Sequence, residues 1–285
     1  MKHYIAITPA RDEEKLLPRL IVSMVAQTQP PGRWIVIDDG SADRTGEIID
    51  RAARYHPWIE PQHLPRGATR APGGESVVMR FMPRSAWVGY DAILRLDADL
   101  TFKPRFAEQL LAEFEKDPRL GIGGPTLYEP YGSRWREVPA PSFHTRGAAK
   151  MYSCVCFAAI GGLEAGLGWD TIDEARAMML GLGTRSFRHI RAYHHRPQGA
   201  AGGLWGSRKA AGLAAYNVGY SPLFLAARAL RLGLKWPPLI GGAGLMAGYL
   251  EGCLKGAARP VSPELVRFVR RQQVRRLLLM ESVWR

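Results

Sequence analysis

The sequence predicts an α/β fold: a mostly parallel sheet with helices on both faces, continued by a helical C-terminal region. Three observations predict it. Short apolar runs alternate with helical patterns through the first half of the chain, two of those runs end abruptly in carboxylates, and the last third is basic and apolar with almost no acids. Strands spaced by helices imply crossover connections and therefore parallel pairing. At 285 residues, with 46% hydrophobic residues, the chain can bury a full core.

The elements follow in order. Residues 4–8 form an apolar run closed by Pro9, and 13–27 places Leu16, Leu17, Leu20, Ile21, Met24 and Val25 on one helical face. A second strand, 34–37, ends in Asp38 and Asp39, with a turn at Gly40 and Ser41. The helix 43–55 follows, with Asp43 as its N-cap. A third apolar strand, 92–96, again ends in acids, and 105–116 is a further helix. In such sheets ligands sit beyond the carboxyl ends of the strands, so acids placed there line the ligand crevice. Asp97 and Asp99 are two residues apart, and an extended backbone would put them on one face. Two hard oxygen ligands at that spacing suit Mg²⁺ or Mn²⁺, ions that bridge carboxylates to a diphosphate. Capping of a βα turn is the competing reading of Asp38 and Asp39.

Composition excludes several classes. The net charge of +13 is not spread along the chain: residues 1–184 carry 22 Lys/Arg against 23 Asp/Glu, and 185–285 carry 17 against 3. No nucleic-acid module accompanies the basic third, so nucleic acid is not an expected partner. There is no G-x-x-x-x-G-K-[ST] phosphate loop. Cys154, Cys156 and Cys253 are too few and wrongly spaced for a disulfide framework or a zinc site. The opening MKHYIAIT has too short an apolar run for a signal peptide, so the catalytic part is expected in the cytoplasm.

The stretches TPARDEEKLLPRLIVSMVAQTQPP (8–31), VIDDGSADRTGEII (36–49) and LDAD (96–99), followed by a later acidic segment, resemble the inverting glycosyltransferases of family 2, which have the Rossmann-like GT-A fold. The resemblance covers about residues 3–200. It implies transfer of a sugar from a nucleotide-sugar donor, a UDP-sugar, to an acceptor. It also implies that Pro9, Ala10, Arg11 and Glu13 border the base, and that Asp39 bonds uracil or ribose. Asp99, assisted by Asp97, would meet the Mn²⁺ or Mg²⁺ and the ribose-diphosphate. Arg66 and Arg70, in PRGATRAPGG (65–74), stand where the family has a donor-side basic residue.

Inversion needs a base for the acceptor hydroxyl, usually Asp or Glu. The candidate stretch is 166–197, GLGWDTIDEARAMMLGLGTRSFRHIRAYHHRP, where the family's adjacent Glu-Asp is replaced by Asp170, Thr171, Ile172, Asp173 and Glu174. Asp173 is the first choice and Asp170 the second, with one of the three acids left as a helix cap. His194 and His195 follow a strand at 187–193, where a histidine completes metal coordination in several GT-A enzymes; phosphate contact is the alternative. Trp169, beside Asp170, is the candidate platform for an acceptor sugar ring, or else a core residue.

The last third contains two uncharged stretches, 210–227 and 236–250, bracketed by Arg208, Lys209, Arg228, Arg231, Lys235, Lys255 and Arg259. Each is barely long enough to cross a bilayer. They read as a hairpin lying in or dipping into the inner leaflet, with positive flanks attracted by anionic lipid. In 262–280, Arg267, Arg270, Arg271 and Arg275 oppose Leu265, Phe268 and Val269, the pattern of an interfacial helix. The expected organisation is a GT-A domain over 1–204 and a membrane-associated region over 205–285. The enzyme is expected at the cytoplasmic face of the cell membrane, peripheral or monotopic, with a lipid-linked saccharide or polysaccharide acceptor. Two rival classes share parts of this pattern: a sugar nucleotidyltransferase and a non-catalytic lipid-binding scaffold.

Overall fold

The computed structural model describes residues 3–65, 75–196, 203–234, 236–256 and 258–284. The chain opens with β1 (Tyr4–Ala10), α1 (Leu17–Val25), β2 (Arg33–Asp38), α2 (Thr45–Tyr55) and β3 (Ile59–His63). Next come α3 (Glu75–Phe81), α4 (Arg84–Trp87), β4 (Ala92–Leu96), β5 (Leu100–Phe102) and α5 (Phe106–Lys116). The middle of the chain holds β6 (Leu120–Tyr131), β7 (Arg134–Glu137), β8 (Ala149–Ser153), α6 (Cys154–Ala159), α7 (Trp169–Met179) and β9 (Gly183–His194). Four helices close it: α8 (Gly203–Val218), α9 (Pro222–Gly233), α10 (Ile240–Lys255) and α11 (Pro263–Leu277).

The strands form one sheet in the order β3-β2-β1-β4-β8-β6-β9-β5, with β7 paired to β6. The first four strands are parallel, as expected, and β6 runs parallel to β9. The sheet as a whole is mixed rather than mostly parallel. Pairs β4–β8, β6–β8, β6–β7 and β5–β9 are antiparallel. The reason lies in the connections: β6 and β7 are joined by the two-residue turn Gly132–Ser133, which only an antiparallel pair accepts.

Successive residues of the central strands go to opposite faces. Tyr4, Ala6, Trp34, Val36, Ala92 and Leu94 pack with α1, α2 and α5, whereas Ile5, Ile7, Ile35, Ile37 and Ile93 pack with Trp87, Phe157 and Trp169. A strand covered on both sides reads as an unbroken apolar run. A third core joins α7 to the C-terminal helices through Ile172, Ala175, Tyr216, Leu245, Leu265, Val269 and Trp284. The two uncharged stretches resolve into three helices, and among the described residues no helix is long and apolar enough to cross a membrane. α8 and α10 touch backbone to backbone: a Cβ on Gly212 would overlap the Leu245 carbonyl, and one on Gly248 the Lys209 carbonyl. Ser262 caps α11, its Oγ accepting from the Leu265 N–H at 3.3 Å.

Candidate active site

The first two βα loops are fastened to each other. Asp12, at φ +55°, donates its N–H to Ser41 Oγ at 3.0 Å, and Asp12 Oδ1 accepts the Ala42 N–H at 2.8 Å. The Glu13 N–H donates to Thr45 Oγ1 at 2.8 Å and the Glu14 N–H to Asp43 Oδ2 at 3.0 Å. Asp43 also takes the Thr45 N–H at 2.9 Å, but it stands one residue before the N-cap: the cap of α2 is Arg44, so Asp43 shapes the turn into the helix instead of capping it. The adjacent acids at the end of β2 divide their labour. Asp38 accepts the Ser41 N–H at 2.9 Å and shapes the turn; Asp39 donates its N–H to the Ala10 carbonyl at 2.8 Å and lines the cavity.

That cavity has a volume of about 650 Å³. Pro9, Ala10, Arg11, Glu13, Asp39, Asp97, Asp99, Trp169 and Asp170 all line it, so acids from three strand ends and the start of α7 share one space. Arg70 and Arg66 lie outside the described residues. Glu13 is gripped bidentately by the Arg196 guanidinium at 2.9 and 2.8 Å. Burial pushes its carboxyl above the usual range, although Arg196 pulls the other way. Arg95, buried at the end of β4, donates to the Gly147 carbonyl at 2.5 Å, lies 2.6 Å from Asp97 Oδ1, and sits 4.9 Å above the Trp169 ring. It thus ties the D-x-D element to the start of α7.

Asp97, Asp99 and His194 present ligand atoms within 4.8 Å of one another. His194 Nε2 is 3.1 Å from Asp99 Oδ1, and its Nδ1 is 3.6 Å from Glu129 Oε1. Burial pulls the imidazole pKa down, but contact with Asp99 and the charges of Asp97 and Glu129 outweigh it and leave it raised. Neither Asp99 Oδ1 nor His194 Nδ1, both buried, has a well-formed hydrogen bond among the described residues. Two carboxylates and an imidazole with unmet capacity suit Mn²⁺ or Mg²⁺. His195 is engaged elsewhere: Nε2 pairs with Thr101 Oγ1 at 2.9 Å and Nδ1 with Arg19 at 3.3 Å. Burial and Arg19 lower its pKa. Neighbours in a strand point oppositely, so only one of the two histidines joins the acids.

The order of the two base candidates is reversed by position. Asp173, the first choice, is 1% exposed and does not line the cavity. Its carboxylate accepts from Lys150 Nζ at 2.9 and 3.0 Å, from the Tyr152 hydroxyl at 2.5 Å and from the Glu174 N–H at 2.6 Å. Burial pushes it up to about 6, against the pull of Lys150. Glu174 is equally enclosed, taking the Thr145 N–H at 2.6 Å and facing His144 Nδ1 at 2.8 Å. Asp170 is the acid of α7 that borders the cavity, and its carbonyl is held by Lys150 Nζ at 2.6 Å. Trp169 also borders the cavity, but at 8% exposure, with Lys150 Nζ 5.4 Å above its ring as well as Arg95, little of the ring is left open.

Residues 5–72 match the family model described as Glycosyl transferase family 2. The polyprenol monophosphomannose synthase of Mycolicibacterium smegmatis is 30% identical over 141 residues, covering 47% of this chain and 50% of that one. The chain therefore spans about half the length of the curated relative it matches. Among solved structures, the mannosyltransferase PcManGT from Pyrobaculum calidifontis with GDP-Man and Mn²⁺ superposes with a TM-score of 0.57 at 15% identity, over 98% of this chain and 81% of its own. GalNAc-T7 with UDP, GalNAc and Mn²⁺ gives 0.60 at 14%, over 99% and 55%. Staphylococcus aureus TarS 1–349 with UDP-GlcNAc gives 0.56 at 15%, over 94% and 78%. At these identities the structures speak for the fold alone. The resemblance read from the sequence is matched by the family 2 glycosyltransferase model over residues 5–72, and the fold is that of the GT-A glycosyltransferases among these structures.

Proposed function

We propose that this protein transfers a sugar, with inversion, from a nucleotide-sugar donor to a lipid-linked saccharide or polysaccharide acceptor at the cytoplasmic face of a membrane. The observation that carries the reading is the single cavity bordered by Asp39, Asp97, Asp99 and Asp170. Pro9, Ala10, Arg11, Glu13 and Asp39 hold the nucleotide, a UDP-sugar on the family resemblance. The loop-to-loop hydrogen bonds that fasten these residues make the pocket preorganised. A Mn²⁺ or Mg²⁺ ion held by Asp97, Asp99 and His194 would supply Lewis-acid neutralisation of the departing diphosphate. Asp170 takes the proton of the acceptor hydroxyl as its oxygen bonds to the anomeric carbon, while the bond from that carbon to the diphosphate oxygen breaks and the diphosphate keeps the electron pair. Trp169 forms the wall beside the acceptor.

Membrane contact is assigned to the junction of α9 and α10. Leu230, Leu234, Trp236 and Leu239 are 72%, 82%, 90% and 74% exposed there, beside Arg228 and Arg231. Apolar side chains framed by cations suit an anionic interface rather than a bilayer crossing.

The test is incubation with a panel of UDP- and GDP-sugars, including GDP-mannose, with Mn²⁺ and a polyprenyl-phosphate-linked acceptor, watching nucleoside diphosphate release. Metal-dependent release from one donor, raised by acceptor, is expected. Absence of release from every donor, or release indifferent to a chelator, would overturn the reading.

A further inference from the structure

The outer end of β6 is paired with β9 along one edge and with β7 along the other, and Tyr128 is the shared rung, opposite Tyr193 and Glu137. One face of this rung is aromatic. The rings of Tyr128 and Tyr193 are 5.8 Å apart, and Trp135 of β7 meets Tyr193 at 5.0 Å and His195 at 5.1 Å, both edge to face. Aromatic pairs across strands stabilise one register over its neighbours. Side chains alternate along a strand, so one residue further on Glu129 and His194 take the opposite face, the face of Asp99. A slip of one residue would turn Glu129 away from the histidine. The aromatic contacts of the β6–β7 hairpin therefore decide what stands behind the imidazole.

The two ring nitrogens of His194 face in two directions. Nε2 lies 3.1 Å from Asp99 Oδ1, within the group formed with Asp97, and Nδ1 lies 3.6 Å from Glu129 Oε1. Glu129 is not a member of that group. An imidazole meets a cation through a nitrogen with a free lone pair, so its proton sits on the other nitrogen, where it needs an acceptor. Nδ1 is buried and has no hydrogen-bond partner among the described residues. The Glu129 carboxylate is the acid beside it, at a distance longer than a hydrogen bond, and contacts of this kind tighten when a site is loaded. We infer that Glu129 is a positioning residue for the divalent cation: it accepts the Nδ1–H of His194 and thereby turns the Nε2 lone pair toward Asp97 and Asp99. The inference rests on the transferase reading, whose cation it takes over, and extends it to a residue of the hairpin. The competing role for Glu129 is a structural one toward Arg136, its cross-strand neighbour on β7.

The test is titration of the full chain with Mn²⁺, alone and with UDP or GDP, following the spin-resonance signal of the free ion. Glu129→Leu should bind Mn²⁺ about 10- to 100-fold more weakly than the parent. Glu129→Gln keeps an acceptor oxygen and should stay within roughly fivefold of the parent. Arg136→Gln should leave the affinity unchanged. A Leu variant within about threefold of the parent, or a Gln variant as weak as the Leu variant, would overturn the assignment. A loss in Arg136→Gln as large as that in Glu129→Leu would make the effect one of hairpin structure and overturn it as well. Should Glu129→Leu fail to show a cooperative unfolding transition, Glu129→Ala serves in its place with the same loss expected. Magnetic resonance of the Mg²⁺-loaded protein with isotope-labelled histidines reads the tautomer directly: the His194 proton should sit on Nδ1, and a proton on Nε2 would overturn the inference. Failure of the parent to take up Mn²⁺ in every arm would remove the cation from the transferase reading and this inference with it. Tight Mn²⁺ binding that is indifferent to Glu129 would remove this inference alone.

Discussion

Two charged clusters sit at the ends of β-strands in this molecule, and they are built to opposite specifications. In one, Lys150, Asp173, Glu174, Tyr152 and His144 satisfy one another: Lys150 Nζ reaches both Asp173 oxygens at 2.9 and 3.0 Å and Glu174 at 3.2 Å, and His144 faces Glu174 at 2.8 Å. In the other, Asp97, Asp99 and His194 gather at 4.8 Å or less with buried atoms lacking well-formed hydrogen bonds. Both are costly to desolvate. The first offsets that cost internally and therefore holds the fold, whereas the second leaves it uncompensated among the described residues, and the proposed function gives that task to a bound cation. The satisfied cluster also serves the open cavity at one remove: Lys150 fixes the Asp170 carbonyl, and Glu174 fixes Thr145 next to Arg146.

The comparison breaks most directly at Lys150. Its ammonium is pulled down by burial, yet Asp173, Glu174 and Asp170 together keep it above its usual range, so it stays charged. Lys150→Met strands two buried carboxylates, and a loss of about 3–5 kcal/mol in urea unfolding is expected. A loss below about 1 kcal/mol would mean that the cluster does not hold α7. Next in size is the contrast within that helix. Asp170→Asn should lower turnover by about 10²–10⁴-fold while the unfolding midpoint barely moves. Asp173→Asn should do the reverse, costing about 1–3 kcal/mol of stability because Lys150 loses its main partner. Steady-state turnover and denaturation on both variants decide it, and a stable but inactive Asp173→Asn beside an active Asp170→Asn would exchange the two roles.

A smaller effect is expected at the exposed tip. The double variant Leu234→Ser, Trp236→Ser removes two large apolar groups that touch little of the protein, so stability should change by less than about 0.5 kcal/mol. Binding to vesicles containing anionic phospholipid should fall by roughly 10- to 100-fold, because half-burying the two apolar side chains in the interface contributes about 1.5–3 kcal/mol in all. Unchanged sedimentation with vesicles would remove this tip from the membrane reading.

How much of this was legible from the sequence depends on the range of the interaction. The parallel strands, the acids at their ends and the turn at Gly40 follow from local apolar runs and turn chemistry. What Asp38 and Asp39 each do also rests on one-residue alternation. Asp173 was ranked ahead of Asp170 although only Asp170 borders the cavity, because both open one helix and the pattern does not say which faces inward. Which side of α7 faces the cavity is decided by Lys150 and Tyr152 on β8, about 20 residues away in sequence. The antiparallel half of the sheet was missed because the return of β8 beside β4 depends on a long connection, not on the pattern of β8 itself. Arg208 and Arg228 read as flanks of apolar stretches. Only the packing of α8 and α9 beside the Arg146 loop turns them into a pocket wall. No local periodicity carries that signal.

The smallest predicted effect tests whether the satisfied cluster is satisfied through protonation. Burial lowers the pKa of His144, but the charge and hydrogen bond of Glu174, with a further contribution from Asp170, more than restore it, leaving the folded value above 6.5 despite opposition from Lys150. A histidine whose folded pKa exceeds its unfolded one contributes stability that is fully present below pH about 6.5 and disappears as pH rises through the folded value. Thermal midpoints should therefore decline across that window as the pH is raised. His144→Asn keeps a donor toward Glu174 but cannot titrate, so it should flatten the decline and lower stability most on the acid side. Because Asp173 is also raised, to about 6, its own contribution falls with rising pH between about 4 and 6, below the histidine window, and the two can be separated by where the slope lies. An unaltered slope above pH about 6.5 in His144→Asn would show that His144 is neutral throughout and that Lys150 alone balances the two acids.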